Sequence, residues 1–117
     1  MSDSPSTPLE AAAVGVRFLL ELGALAAVGY WGAGTYPGIV GFAVGAGAAL
    51  ALATAWGVFV SPKAPWRLPD PWRLAAELLA FALATVALAV SGLALAAAGY
   101  AVLAVADEAL LIARDLR

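Results

Sequence analysis

IVGFAVGAGAALALATAWGVFV, positions 39–60, carries no charged side chain. Coiled as an α-helix it has a full spanning length for a hydrocarbon core roughly 30 Å thick. The flanking sequence repeats the pattern. Leu9 to Ala33 is apolar apart from Glu10, Arg17 and Glu21, and makes about 37 Å of helix at 1.5 Å per residue. On the other side lie Trp72 to Val90, with Arg73 and Glu77 near its start, and Leu93 to Ala113, with Asp107 and Glu108. Four apolar segments joined by short connections predict an all-α integral membrane protein, a four-helix up-down-up-down bundle.

Composition excludes the common alternatives. The 117 residues are 64% hydrophobic and 12% charged, against roughly 25% charged in an ordinary soluble domain. Mean hydropathy is +0.95. A water-facing surface cannot be assembled from this inventory. Lys and Arg total 6 against 8 Asp and Glu, a net charge of −2, so there is no basic face for nucleic acid. Cysteine and histidine are absent, which removes disulfides, zinc sites and imidazole catalysis. No nucleophile–base pair, phosphate-cradling glycine loop or metal-ligand spacing stands in the sequence. The expectation is a protein that is not an enzyme, with no metal and no cofactor. Its partners would be the lipid bilayer and either further copies of itself or another membrane protein.

Positions 1–8, polar and with two prolines, read as a flexible tail, and 9–117 as a single domain. The first segment lacks a basic leader and carries internal charges, so it reads as a retained helix rather than a signal peptide. Gly32 to Gly38 forms the first turn and Ser91-Gly92 the last. Positions 61–71 hold Pro62, Pro65, Pro69 and Pro71, and no helix passes through such a run. Lys63, Arg67, Arg73, Arg114 and Arg117 gather at this loop and at the C-terminus, whereas the two turns have no basic residue. The positive-inside rule then sets the loop and both termini on the cytoplasmic side of the cell membrane, in one orientation. Tyr30, Trp31 and Tyr36 suit the outer interface, and Trp56, Phe59, Trp66 and Trp72 the inner one.

Two further patterns bear on packing. Gly41 and Gly45 are spaced for close helix approach, with Gly34 and Gly38 near the same face. Arg17-Phe18-Leu19-Leu20-Glu21-Leu22 and Arg73-Leu74-Ala75-Ala76-Glu77-Leu78 share the pattern R-x-x-x-E-L, as a duplicated two-helix hairpin would.

The run Trp56-Gly57-Val58-Phe59-Val60-Ser61-Pro62-Lys63-Ala64-Pro65, then Arg67-Leu68-Pro69-Asp70-Pro71 and Arg73-x-x-x-Glu77, resembles the YrdB-like family of small four-helix membrane proteins. The first helix, from Arg17-Phe18-Leu19-Leu20-Glu21-Leu22 to Gly29-Tyr30-Trp31-Gly32, is similar to that family's first span. The likeness extends from about Val16 to Leu111, and the family's function is unknown. It implies the topology and no catalytic residue.

The charges inside the spans demand compensation, because each costs about 2.5–3.5 kcal/mol at a helix centre on insertion scales. Arg17, Glu21, Arg73, Glu77, Asp107 and Glu108 are expected to converge in the cytoplasmic half. Two readings follow. In one, Arg17–Glu77 and Arg73–Glu21 bridges lock the two halves, with Asp107 or Glu108 taking Arg114 or another arginine. In the other, the acids, four against two arginines, form a polar pocket for a cation, a proton or a lipid headgroup, with Glu21, Glu77 and Asp107 at its centre. Lys63 and Arg67, interleaved with Trp66 and Trp72, either contact anionic headgroups or serve only as topology signal and anchors.

Overall fold

The computed structural model describes residues 7–61 and 63–115. Most of the expected 1–8 tail, Pro62 and Arg117 lie outside the described residues. The structure is all-helical: α1 Pro8–Thr35, α2 Gly38–Phe59, α3 Trp72–Val90 and α4 Ala94–Ala113. Each is long and apolar enough to cross a membrane.

The helix limits follow from local chemistry. Thr7 accepts a hydrogen bond from the Glu10 backbone N–H at 3.1 Å, and Pro8 fills the first helical position, where no N–H is needed. Thr7 and Pro8 thus belong to the helix start, not to the tail. At the other end α1 runs past Gly32 and Gly34 to Thr35, two residues beyond the expected limit. A glycine alone does not stop a helix, whereas Pro37 forces Tyr36 into extended backbone (φ −118°, ψ 144°). Gly38 then takes φ +60°, a left-handed value open to glycine, and starts α2. The α3–α4 turn is a Schellman motif: Gly92 at φ +84° donates to Ala89, and Leu93 to Leu88.

Positions 60–71 do more than connect. The chain folds back on the end of α2, where Trp66 N–H donates to the Val58 carbonyl at 3.1 Å and Leu68 N–H to that of Phe59 at 2.8 Å. Arg67 Nε adds a bond to the Val60 carbonyl at 3.4 Å. The carbonyls that a helix end leaves without partners are thereby satisfied, and a guanidinium lies at the negative end of the helix dipole.

α1 is the central element. Against α2 it makes backbone-to-backbone contact, since a Cβ on Gly45 would strike the Gly29 carbonyl, and one on Gly32 would meet Gly45. Gly41 lies against the Tyr36 and Ala33 carbonyls, while Gly34 and Gly38 face open space and take no part in this approach. Against α3 and α4, α1 uses small residues and a few large ones. Ala24 and Ala27 meet Ala84 and Ala87, Leu20 meets Phe81 and Ala104, and Ala13 meets Leu111. Tyr100 on α4 donates to the Leu20 carbonyl at 2.7 Å and sets its ring edge-on to Phe81, 6.2 Å between centroids.

The result is flattened, 49 × 33 × 22 Å. α1, α3 and α4 form a three-helix group, and α2 leans on α1 from outside it. Between α2 and α3 runs an open cleft with α1 as its floor, where a square bundle would have a helix contact.

Candidate functional site

Glu21, Glu77, Asp107 and Glu108 gather around Arg17. Its Nε lies 3.0 Å from Glu21 Oε2, one turn on, and its Nη2 lies 2.8 Å from Glu77 Oε2 on α3. Asp107 and Glu108 on α4 are close enough for Arg17 to feel their charge. One guanidinium therefore faces carboxylates from three helices. Such planar, multi-donor geometry is what arginine offers and lysine does not.

Arg73 is placed differently from the expectation. Its Nη2 binds Asp70 Oδ2 at 2.9 Å, its Nη1 donates to the Leu68 carbonyl at 3.3 Å, and its Nε lies 3.7 Å from Glu77 Oε2. It sits at the first turn of α3, beside the loop, too far along to reach Glu21. Arg114 likewise pairs with Glu10 at 3.3 Å and not with Asp107 or Glu108. That contact sets the start of α1 and the end of α4 at the same end of the molecule as the 60–71 loop.

Trp56 takes the place at Glu21 that the sequence reading gave to Arg73. Its indole N–H donates to Glu21 Oε2 at 3.0 Å, so this tryptophan is a partner in the polar layer. The antiparallel register that brings Gly32 to Gly45 also brings Glu21 to Trp56, because within each pair the two residues stand equally far from the α1–α2 turn. That glycine crossing is the signal that was available.

Burial separates the six charged residues. Glu77 is 3% exposed, Glu108 4% and Asp107 7%, while Arg17 and Glu21 keep partial access. Asp107 Oδ2 has no hydrogen-bond partner among the described residues, and buried carboxylate oxygens are rarely left so.

Glu21, Glu77 and Trp56 also line one end of the α2–α3 cleft, a cavity of about 320 Å³ whose other walls include Phe18, Leu25, Leu52 and Phe81. Beyond Leu52 the cleft opens into a second space of about 600 Å³, walled by Trp31, Leu83 and Val90 and without a charged residue. Trp31, partly buried, also packs against the α1–α3 alanine cluster.

Residues 15–105 match the family described as Protein of unknown function (DUF2568). The chain belongs to this family. The DUF2568 match takes in Arg17, Glu21, Trp56, Arg73 and Glu77, the glycine crossing and the proline-rich loop; Asp107, Glu108 and the Glu10–Arg114 pair fall outside it. The DUF2568 description says nothing of activity, and it differs from the YrdB-like name that the resemblance gave. No curated protein and no solved structure matches the chain.

Lys63, Trp66, Arg67 and Trp72 are all exposed at the loop. The structure brings Arg67 onto the α2 carboxyl end, while the Lys63 backbone N–H donates to Ser61 Oγ at 3.3 Å.

Proposed function

We propose that this DUF2568 protein, whose family we equate with the YrdB-like one, is a multi-pass protein of the cell membrane. Its four helices cross up-down-up-down with the 60–71 loop and both termini on the cytoplasmic side, and it acts as a structural or interaction subunit without catalytic activity. One observation carries the reading: the surface is inverted. Leu95 is 91% exposed and Ile39 78%, while Glu77, Asp107 and Glu108 are buried. A soluble protein does the opposite, and exposed apolar area on this scale is stable only in lipid. Arg17 with its carboxylates is then an architectural lock that fixes how α1, α3 and α4 face one another.

The chain has no native cysteine, so single cysteines report its topology. In intact cells a membrane-impermeant maleimide should label Ser91→Cys, in the α3–α4 turn, and should reach Ser61→Cys only after permeabilisation. Equal labelling of both in intact cells defeats this orientation.

A second reading, cation- or proton-coupled transport, is favoured by the buried Asp107 oxygen without a hydrogen-bond partner among the described residues. It requires Asp107→Asn to abolish proton release when candidate cations are added to folded protein.

A further inference from the structure

We infer that the cleft between α2 and α3 binds an organic ammonium ion, with its cationic head at Glu21 and its apolar body lying along Leu52. The inference rests on the membrane reading, since the cleft faces the lipid, and not on transport.

Charge sets the head. Within the polar layer four carboxylates (Glu21, Glu77, Asp107, Glu108) accompany two guanidiniums (Arg17, Arg73), a formal excess of negative charge in a low-dielectric site. Both recorded bonds to Glu21, from Arg17 and from Trp56, end on Oε2. Its Oε1 is left to accept from a donor in the cavity that Glu21 lines. Trp56, Phe18 and Phe81 share that cavity, and aromatic faces attract cations. A phosphate or carboxylate head would meet the same carboxylates and be repelled.

Shape sets the body. Apart from the two glutamates, the cavity lining is apolar or aromatic, which suits neither a hydrated metal ion nor a polar metabolite. The second space beyond Leu52 lets an alkyl or aryl-alkyl chain extend toward Trp31 without meeting a charge. The chain of such an ammonium is already out of water in the bilayer, and its head replaces hydration with a charge-assisted hydrogen bond.

The test is calorimetric titration of the full chain in maltoside micelles with 5-phenylpentylammonium, against 5-phenylpentan-1-ol, which keeps the body and lacks the charge. The ammonium should bind saturably and about tenfold or more tighter than the alcohol, and Glu21→Gln should remove about that preference. Ala53→Trp, which fills the cleft from α2 and touches no ion pair, should abolish saturable binding while the protein stays monodisperse. It decides the matter even if Glu21→Gln fails to fold. Equal affinity for ammonium and alcohol, or unaltered binding by Ala53→Trp, overturns the inference. Cysteine labelling tests the membrane reading separately, so a chain that labels as expected yet binds no ammonium sinks the ligand alone.

Discussion

Arg17 on α1 holds Glu77 on α3 at 2.8 Å, through a side chain that also takes Glu21 at 3.0 Å. Removing the arginine leaves a buried carboxylate facing other acids. Arg17→Gln is expected to destabilise the protein by about 3–5 kcal/mol, the usual loss when one partner of a buried pair is deleted. Adding Glu77→Gln should restore part of that loss, because the double variant no longer strands the Glu77 charge. Thermal unfolding in detergent, read by tryptophan fluorescence, checks both.

Gly45 faces the Gly29 carbonyl with no room for a methyl group. Gly45→Ala should part α1 from α2 and lower stability by roughly 1–3 kcal/mol, the range for overpacking. Gly47→Ala is the control: nothing lies within 4 Å of the added carbon, and alanine's helix propensity should make it neutral or slightly stabilising. Equal melting points for the two variants remove close backbone approach as the reason for the glycine.

Tyr100→Phe deletes the 2.7 Å hydrogen bond to the Leu20 carbonyl and keeps the ring contact with Phe81. A loss of about 1 kcal/mol is expected, visible as a lower melting temperature. No change in melting means that bond adds nothing.

At the loop, Lys63 and Arg67 should separate. Arg67 is tied to the Val60 carbonyl, so Arg67→Ala should lower stability modestly, by about 0.3–1 kcal/mol. The Lys63 side chain is exposed, as is Trp66, and Lys63→Ala should reduce the anionic lipid that the protein carries into native mass spectrometry. Identical lipid retention in wild type and Lys63→Ala counts against a headgroup contact there.

The four helices were legible because each is a long apolar run, and the absence of charge from Ile39 to Val60 needs no tertiary knowledge to read. Arg17, Glu21 and Glu77 were legible as a group because charges in such runs must find partners. Which partner each finds was not. Arg73 sits at a helix start, where Asp70 and the Leu68 carbonyl lie nearer than Glu21, and sequence spacing does not encode that depth. The bond of Trp56 to Glu21 is not legible in the sequence because it depends on the α1–α2 register, fixed by Gly29, Gly32 and Gly45 together. The cleft was hidden for another reason. It exists because α2 and α3 do not pack, and an absent contact leaves no periodicity to see.

The double hold on Arg17 has a consequence for synthesis. Arg17 leaves the ribosome long before Glu77, so in the membrane reading the first helix enters lipid while its interhelical partner has yet to be translated. Glu21, one turn away, is made almost at once and neutralises the guanidinium from within the same helix. On that reading the local pair would escort the charge through insertion, and Glu77 would claim it when the third helix arrives. The order of the residues along the chain would then be an assembly schedule as well as a fold.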